Sequence, residues 1–189
     1  MLRRIRLGLK LLWSTARRAL LRMLLPLFEP GIHLGRGVDI GRRAELRITS
    51  GGNILIEDGV AIECDVLIHA ESGTVRIGRN GFVGRGSQIV SLEQVTIGPD
   101  ALIAAGVVIR DGDHRFDDTT RPIREQGHAV APIEVGADVW LGAHVVVTAV
   151  SKIGDGCVIG ANAVVRGNIP PGAIAGGIPA RVIKQREPK

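Results

Sequence analysis

The chain has 189 residues, 45% hydrophobic and 23% charged, a globular composition that excludes a disordered chain. With 26 glycines, three Phe, two Trp and no Tyr, its core must be filled by Ile, Val, Leu and Ala, and two cysteines without CxxC or zinc spacing exclude a disulfide scaffold and fit a reducing cytoplasm. The net charge of +5 comes from residues 1–29, where seven of the 24 basic side chains face Glu29 alone; the remaining 17 basic and 18 acidic groups leave no basic face of the kind nucleic-acid binding needs.

The first predicted element is a basic amphipathic helix within residues 1–29. Wound at about 100° per residue, Leu2, Ile5, Leu9, Leu12, Trp13, Ala16, Leu20, Met23 and Leu27 share one face, and the arginines and Lys10 take the other. No run of about 18 apolar residues survives the arginines, so the segment does not span a bilayer. Three roles fit it: packing on the domain or a partner subunit, lying at an anionic membrane surface through residues 2–28, or targeting.

From residue 30 to about 170 the chain repeats every six residues. Aliphatics recur at Ile56, Ile62 and Ile68, at Ile77, Val83 and Ile89, at Ile97, Ile103 and Ile109, and from Val135 through Leu141, Val147, Ile153 and Ile159 to Val165. Leu34, Ile40 and Leu46 form a looser first trio. Glycine often follows the aliphatic, and a small or β-branched residue such as Ala101, Val139, Cys157 or Ala163 comes four places after it. A helix period cannot produce this pattern, and a strand period does so only if the chain turns every six residues. The solution is an all-β parallel coil of three short strands per turn, with the glycine expected at a corner of unusual φ/ψ. Each coil buries its aliphatics only once the next covers them, so the ends need caps, for which residues 1–29 and 171–189 are candidates.

The count breaks near residues 71–75 and 93–96, and again over 110–132, where 20 extra residues are expected as an unstructured excursion. That loop holds Asp111, Asp113, His114, Asp117, Asp118, Glu125 and His128. His33, His69 and His128 lack metal-ligand spacing, and no metal is expected.

The hexads, the His-bearing loop, the run Val139-Trp140-Leu141-Gly142-Ala143-His144, the Ile169-Pro170-Pro171-Gly172 segment and Gly176-Gly177-Ile178-Pro179-Ala180-Arg181 resemble the hexapeptide-repeat acyltransferases. Within that family they are most similar to the sugar O-acetyltransferases of the maltose, galactoside, O-antigen and capsule type. The resemblance implies a left-handed parallel β-helix with a short C-terminal tail or helix, assembled as a homotrimer with sites between subunits. It implies acetyl-CoA as co-substrate, a saccharide acceptor in cell-surface polysaccharide or lipid-linked sugar biosynthesis, and a cytoplasmic protein that could sit peripherally on the inner membrane.

By the same resemblance His114 is the general base, a role that suits imidazole near neutral pH, with Asp111 or Asp113 to orient it. Trp140 walls the site, Ala143 and Ala161 let the pantetheine arm pass, and Arg166, Arg181 and Lys184 are candidates for the nucleotide phosphates. Arg85, with Ser87 beside it, stands where the galactoside enzymes have asparagine at the acceptor, a departure that suits an acidic acceptor. Two alternatives stay open: an N-acetyltransferase acting on an amino-sugar, and a non-catalytic membrane-associated scaffold.

Overall fold

The computed structural model describes residues 30–187, so the amphipathic helix expected over residues 2–28 lies outside the described residues. Three parallel sheets of seven, eight and six strands wrap the chain into a three-sided β-helix. Successive strands of one coil go to the first, second and third faces in turn: Thr74–Ile77, then Phe82–Val83, then Gln88–Ser91. The coil then climbs to Gln94–Ile97, which pairs in register with the first of these.

The register explains the six-residue period. Ile97 lies between Ile77 and Val135, Ile103 between Val83 and Leu141, and Ile109 between Ile89 and Val147, giving three inward columns. All fifteen of the repeating aliphatics from Ile56 to Val165 are at most 3% exposed, and each such side chain contributes about 1.5 to 3 kcal/mol. The small residues four places on, among them Ala101, Val139, Cys157 and Ala163, fill the narrow corners at 1% exposure or less. At the lower end Leu34, Ile40, Leu46 and Ile48 are only partly buried. At the upper end the chain reverses, and Ala180–Gln185 pairs antiparallel with Ala173–Gly177. The C-terminal segment is thus a strand and not a helix. Among the described residues no helix is long and apolar enough to cross a membrane.

The glycine after the aliphatic serves a different purpose from the one its position suggests. The left-handed backbone sits two residues later, at Asn80 (φ 57°), Asp100 (58°), Asp138 (52°), His144 (58°) and Asn162 (61°). Asn and Asp tolerate that region by bonding locally. The glycine marks instead where the next coil approaches: a Cβ on Gly142 would lie 2.6 Å from the backbone nitrogen of Ala161.

The 20-residue excursion is also ordered. Gly112–His114 and His128–Val130 form an antiparallel hairpin arm that leaves between the third and first faces. Gln126 closes its tip, accepting from the Asp118 N–H (3.1 Å) and donating to the carbonyls of Asp118 (2.8 Å) and Arg121 (3.0 Å). The Thr120 hydroxyl donates to Asp118 and holds that carboxyl below its usual range. At the base of the arm Asp111 is fully buried and accepts from the Leu92 N–H (2.7 Å), the Glu93 N–H (2.9 Å) and the Ser91 hydroxyl (2.8 Å). One carboxylate thereby satisfies the irregular turn of the coil below and pins the arm to it.

Two expected outcomes follow from this packing. Asp111→Ala strands two backbone N–H groups and should lower stability by about 2 to 4 kcal/mol, read from the denaturant midpoint. The Cys157 thiol, pushed up by burial, donates to the Pro170 carbonyl. Because the folded thiol ionises above the unfolded one, its contribution is complete below the unfolded value and declines as pH rises through the folded one. In native protein at pH 8, mass spectrometry should find iodoacetamide on half-buried Cys64 well before Cys157.

Candidate active site

The residues expected to carry chemistry fall along two edges of the prism. The first is the corner between the second and third faces. Here the backbone rises coil by coil from Arg85 to Ala105, Ala143 and Ala161, tied by bonds from Gly106 N–H to the Arg85 carbonyl (2.9 Å), His144 N–H to Ala105 (3.0 Å) and Asn162 N–H to Ala143 (2.9 Å). Three alanines in successive coils place only short side chains in this column of the edge. Trp140 flanks it on the second face, 51% exposed between Leu102 and Val158. In the terminal hairpin Arg181 lies opposite Gly176, and Lys184 lies opposite Ile174. Both are exposed.

Arg85 begins the column, exposed, with its N–H donating to Glu63 at 2.9 Å. The Arg43 guanidinium holds the nearby Asp65 carboxyl below its usual range, and the charge of Arg85 adds to that effect. Ser87 does not join Arg85 at the surface. It is fully buried, donates to the Ala104 carbonyl (3.0 Å) and accepts from the Val107 N–H (3.2 Å). The small inward position of the hexad draws it into the corner, so it faces the core and not a ligand.

The second edge, between the third and first faces, carries the arm with His114 and, on a later coil, Arg166, both exposed. Asp111 is not placed to orient the imidazole, because its carboxylate is engaged by the turn at residues 91–93. Asp113 precedes His114 on an extended strand, where neighbouring side chains point to opposite faces. The ring of His114 instead meets that of His128, with centroids 4.4 Å apart and planes at 35°. Sequence spacing could not show this partner, since the two are 14 residues apart and pair only through the hairpin. His144, part of the coil as its hexad position implies, lies at the alanine corner with its ring over Gly106, where a Cβ would collide with it. Among the described residues no group of three or more His, Cys, Asp or Glu is gathered as metal ligands.

Within one copy, the third face separates His114 from Trp140 and the alanine column. Above Asp39, the outward row of the second face, Ala61, Phe82, Leu102, Trp140, Val158 and Ile174, is apolar. The first face instead carries Arg76, Thr96, Glu134 and Lys152 in its outward row.

Comparison with known proteins agrees with this architecture. Residues 132–167 match the family described as bacterial transferase hexapeptide (six repeats), and residues 74–110 match the hexapeptide repeat of succinyl-transferase. A probable acetyltransferase of Mycobacterium tuberculosis is 40% identical over 82% of this chain and 50% of its own length. The galactoside O-acetyltransferase of Escherichia coli is 36% identical over 75% of this chain and 65% of its own length. A putative acetyltransferase of Schizosaccharomyces pombe is 31% identical over 78% of this chain and 70% of its own length. The chain thus spans half to two thirds of the length of the first two relatives. Among solved structures, an N-acyltransferase from Bacillus cereus superposes with a TM-score of 0.70 at 21% identity, covering 85% of this chain and 87% of that one, a likeness of fold. Six-residue period, three-sided parallel coil and sequence likeness converge: the chain belongs to the hexapeptide-repeat acyltransferase family, with the left-handed parallel β-helix of that family.

Proposed function

We propose that this protein is an acyl-CoA-dependent O-acetyltransferase acting on a saccharide hydroxyl. The observation that carries the reading is the column of Ala105, Ala143 and Ala161, flanked by Trp140 and leading up to Arg181. A pantetheine arm suits an edge lined by short side chains, and nucleotide phosphates need a guanidinium at its end. Lys184 is a further cation for those phosphates, and Arg166, on the other edge, reaches them only from a neighbouring copy. The galactoside O-acetyltransferase likeness supports the donor and the acceptor class.

In the proposed reaction a ring nitrogen of His114 takes the proton of the acceptor hydroxyl as its oxygen attacks the thioester carbonyl. Backbone N–H groups hold the oxyanion, the carbon–sulfur bond breaks, and the imidazolium returns the proton to the CoA thiolate. One copy keeps His114 and Trp140 apart, so the site is completed across an interface. The apolar second face and the polar first face suit a trimer with threefold symmetry, in which one heterologous contact repeats three times. The protein works in the cytoplasm, and the basic sequence of residues 2–28 gives it peripheral contact with the inner membrane on the way to lipid-linked or cell-surface saccharides.

Calorimetric titration with acetyl-CoA tests the donor. One site per chain, at least tenfold weaker in Arg181→Ala, is expected, and no binding at millimolar acetyl-CoA would make the protein a scaffold or assign it another donor. His114→Ala should keep that affinity while thiol release with p-nitrophenyl β-galactoside falls by about 10² to 10⁴. A variant lacking residues 2–28 should lose co-sedimentation with anionic vesicles but keep its affinity for acetyl-CoA in calorimetric titration.

A further inference from the structure

The carboxylates beside His114 do not hold it. Among the described residues no hydrogen bond joins Asp111 or Asp113 to the imidazole; Asp111 is buried on the turn at residues 91–93, and Asp113 lies on the other side of its strand. An exposed histidine on an extended strand, left to itself, turns among its rotamers, and a base that must meet a hydroxyl cannot act from most of them.

The hairpin supplies a different support. His114 and His128 are direct cross-strand partners. The bonds on either side, Ala131 N–H to the Asp111 carbonyl and Arg115 N–H to the Gly127 carbonyl, both 3.0 Å, make theirs a non-hydrogen-bonded pair, the kind whose side chains approach most closely. The rings accordingly meet at 4.4 Å, tilted by 35°. Arg115 anchors the partner strand again, donating from Nε to the His128 carbonyl at 3.2 Å. A ring packed on one face keeps its nitrogen-bearing edge open, which suits a base better than a hydrogen bond that would occupy a nitrogen.

We propose that His128 is a positioning residue: its imidazole braces one face of the His114 ring and so fixes the direction in which His114 offers a ring nitrogen to the acceptor hydroxyl. The proposal rests on the reading of His114 as the base. It assigns no proton transfer to His128, so a flat ring without nitrogen should serve in its place.

The full chain carrying His128→Ala, His128→Phe or His114→Ala separates these ideas, assayed by thiol release from acetyl-CoA with p-nitrophenyl β-galactoside and, for the water reaction, without it. His128→Ala is expected to lower kcat by about 10- to 100-fold with the KM for acetyl-CoA within about twofold, and His128→Phe to recover kcat to within about threefold. The Cε1–H resonance of His114 should shift on His128→Ala as the neighbouring ring current is lost, and an unchanged resonance would show that the rings do not stack in solution and would overturn the proposal. Full kcat in His128→Ala, or a His128→Phe as slow as His128→Ala, overturns it too while leaving His114 as base if His114→Ala is slow. A fully active His114→Ala removes the base itself and the proposal with it.

Discussion

Close approach of one coil to the next is the constraint on which the rest of this structure depends. Each strand is only two to four residues long over most of the coil, too short to be stable alone, and each gains its backbone partners from strands about one turn away in sequence. At the corners backbone meets backbone with no room for a Cβ, as at Gly142 against Ala161. The inward aliphatics then stack in columns, and the burial that drives folding exists only because the coils stand this close.

The same constraint decides where the chain can carry an insertion. A residue added inside a strand would shift the period and turn aliphatics outward, whereas one added at a corner leaves both neighbouring strands in place. The arm uses this freedom: after 20 extra residues Ile133 still pairs with Val95, and Val135 with Ile97. The cost of an irregular corner is a set of backbone N–H groups without coil partners. Asp111 meets part of it by accepting from Leu92 and Glu93 in a buried position, where a carboxylate is tolerated because its bonds are satisfied.

A rigid prism limits which edges can meet. Side chains on different edges cannot converge by bending, because the faces between them are fully paired sheet. Trp140 and the alanine column belong to one edge and the His114 arm to another. Apolar second-face residues such as Leu102 and Trp140 remain half exposed on a single copy, which is the condition that association would relieve.

The sequence by itself determined the three-sided coil, because a strict six-residue step requires a turn after every short strand and each aliphatic in it is a local, readable choice; its left-handed sense came from the family likeness. It also located the arm, through the break in that step between Ile109 and Val135, and the concentration of titratable groups within it. The corner glycines were readable as punctuation but not in their purpose: left-handed backbone falls on Asn80, Asp100 and His144, while the glycines answer the approach of the next coil. The family likeness made Ser87 and Asp111 site residues, although Ser87 also stands at the small inward position of its hexad, and the tertiary structure shows both turned inward to backbone partners. The contact of His114 with His128 likewise depends on the register of a hairpin, which no spacing in the chain records. Periodicity reports what each residue does to the core, whereas the direction of a functional side chain is set by contacts between segments far apart in sequence.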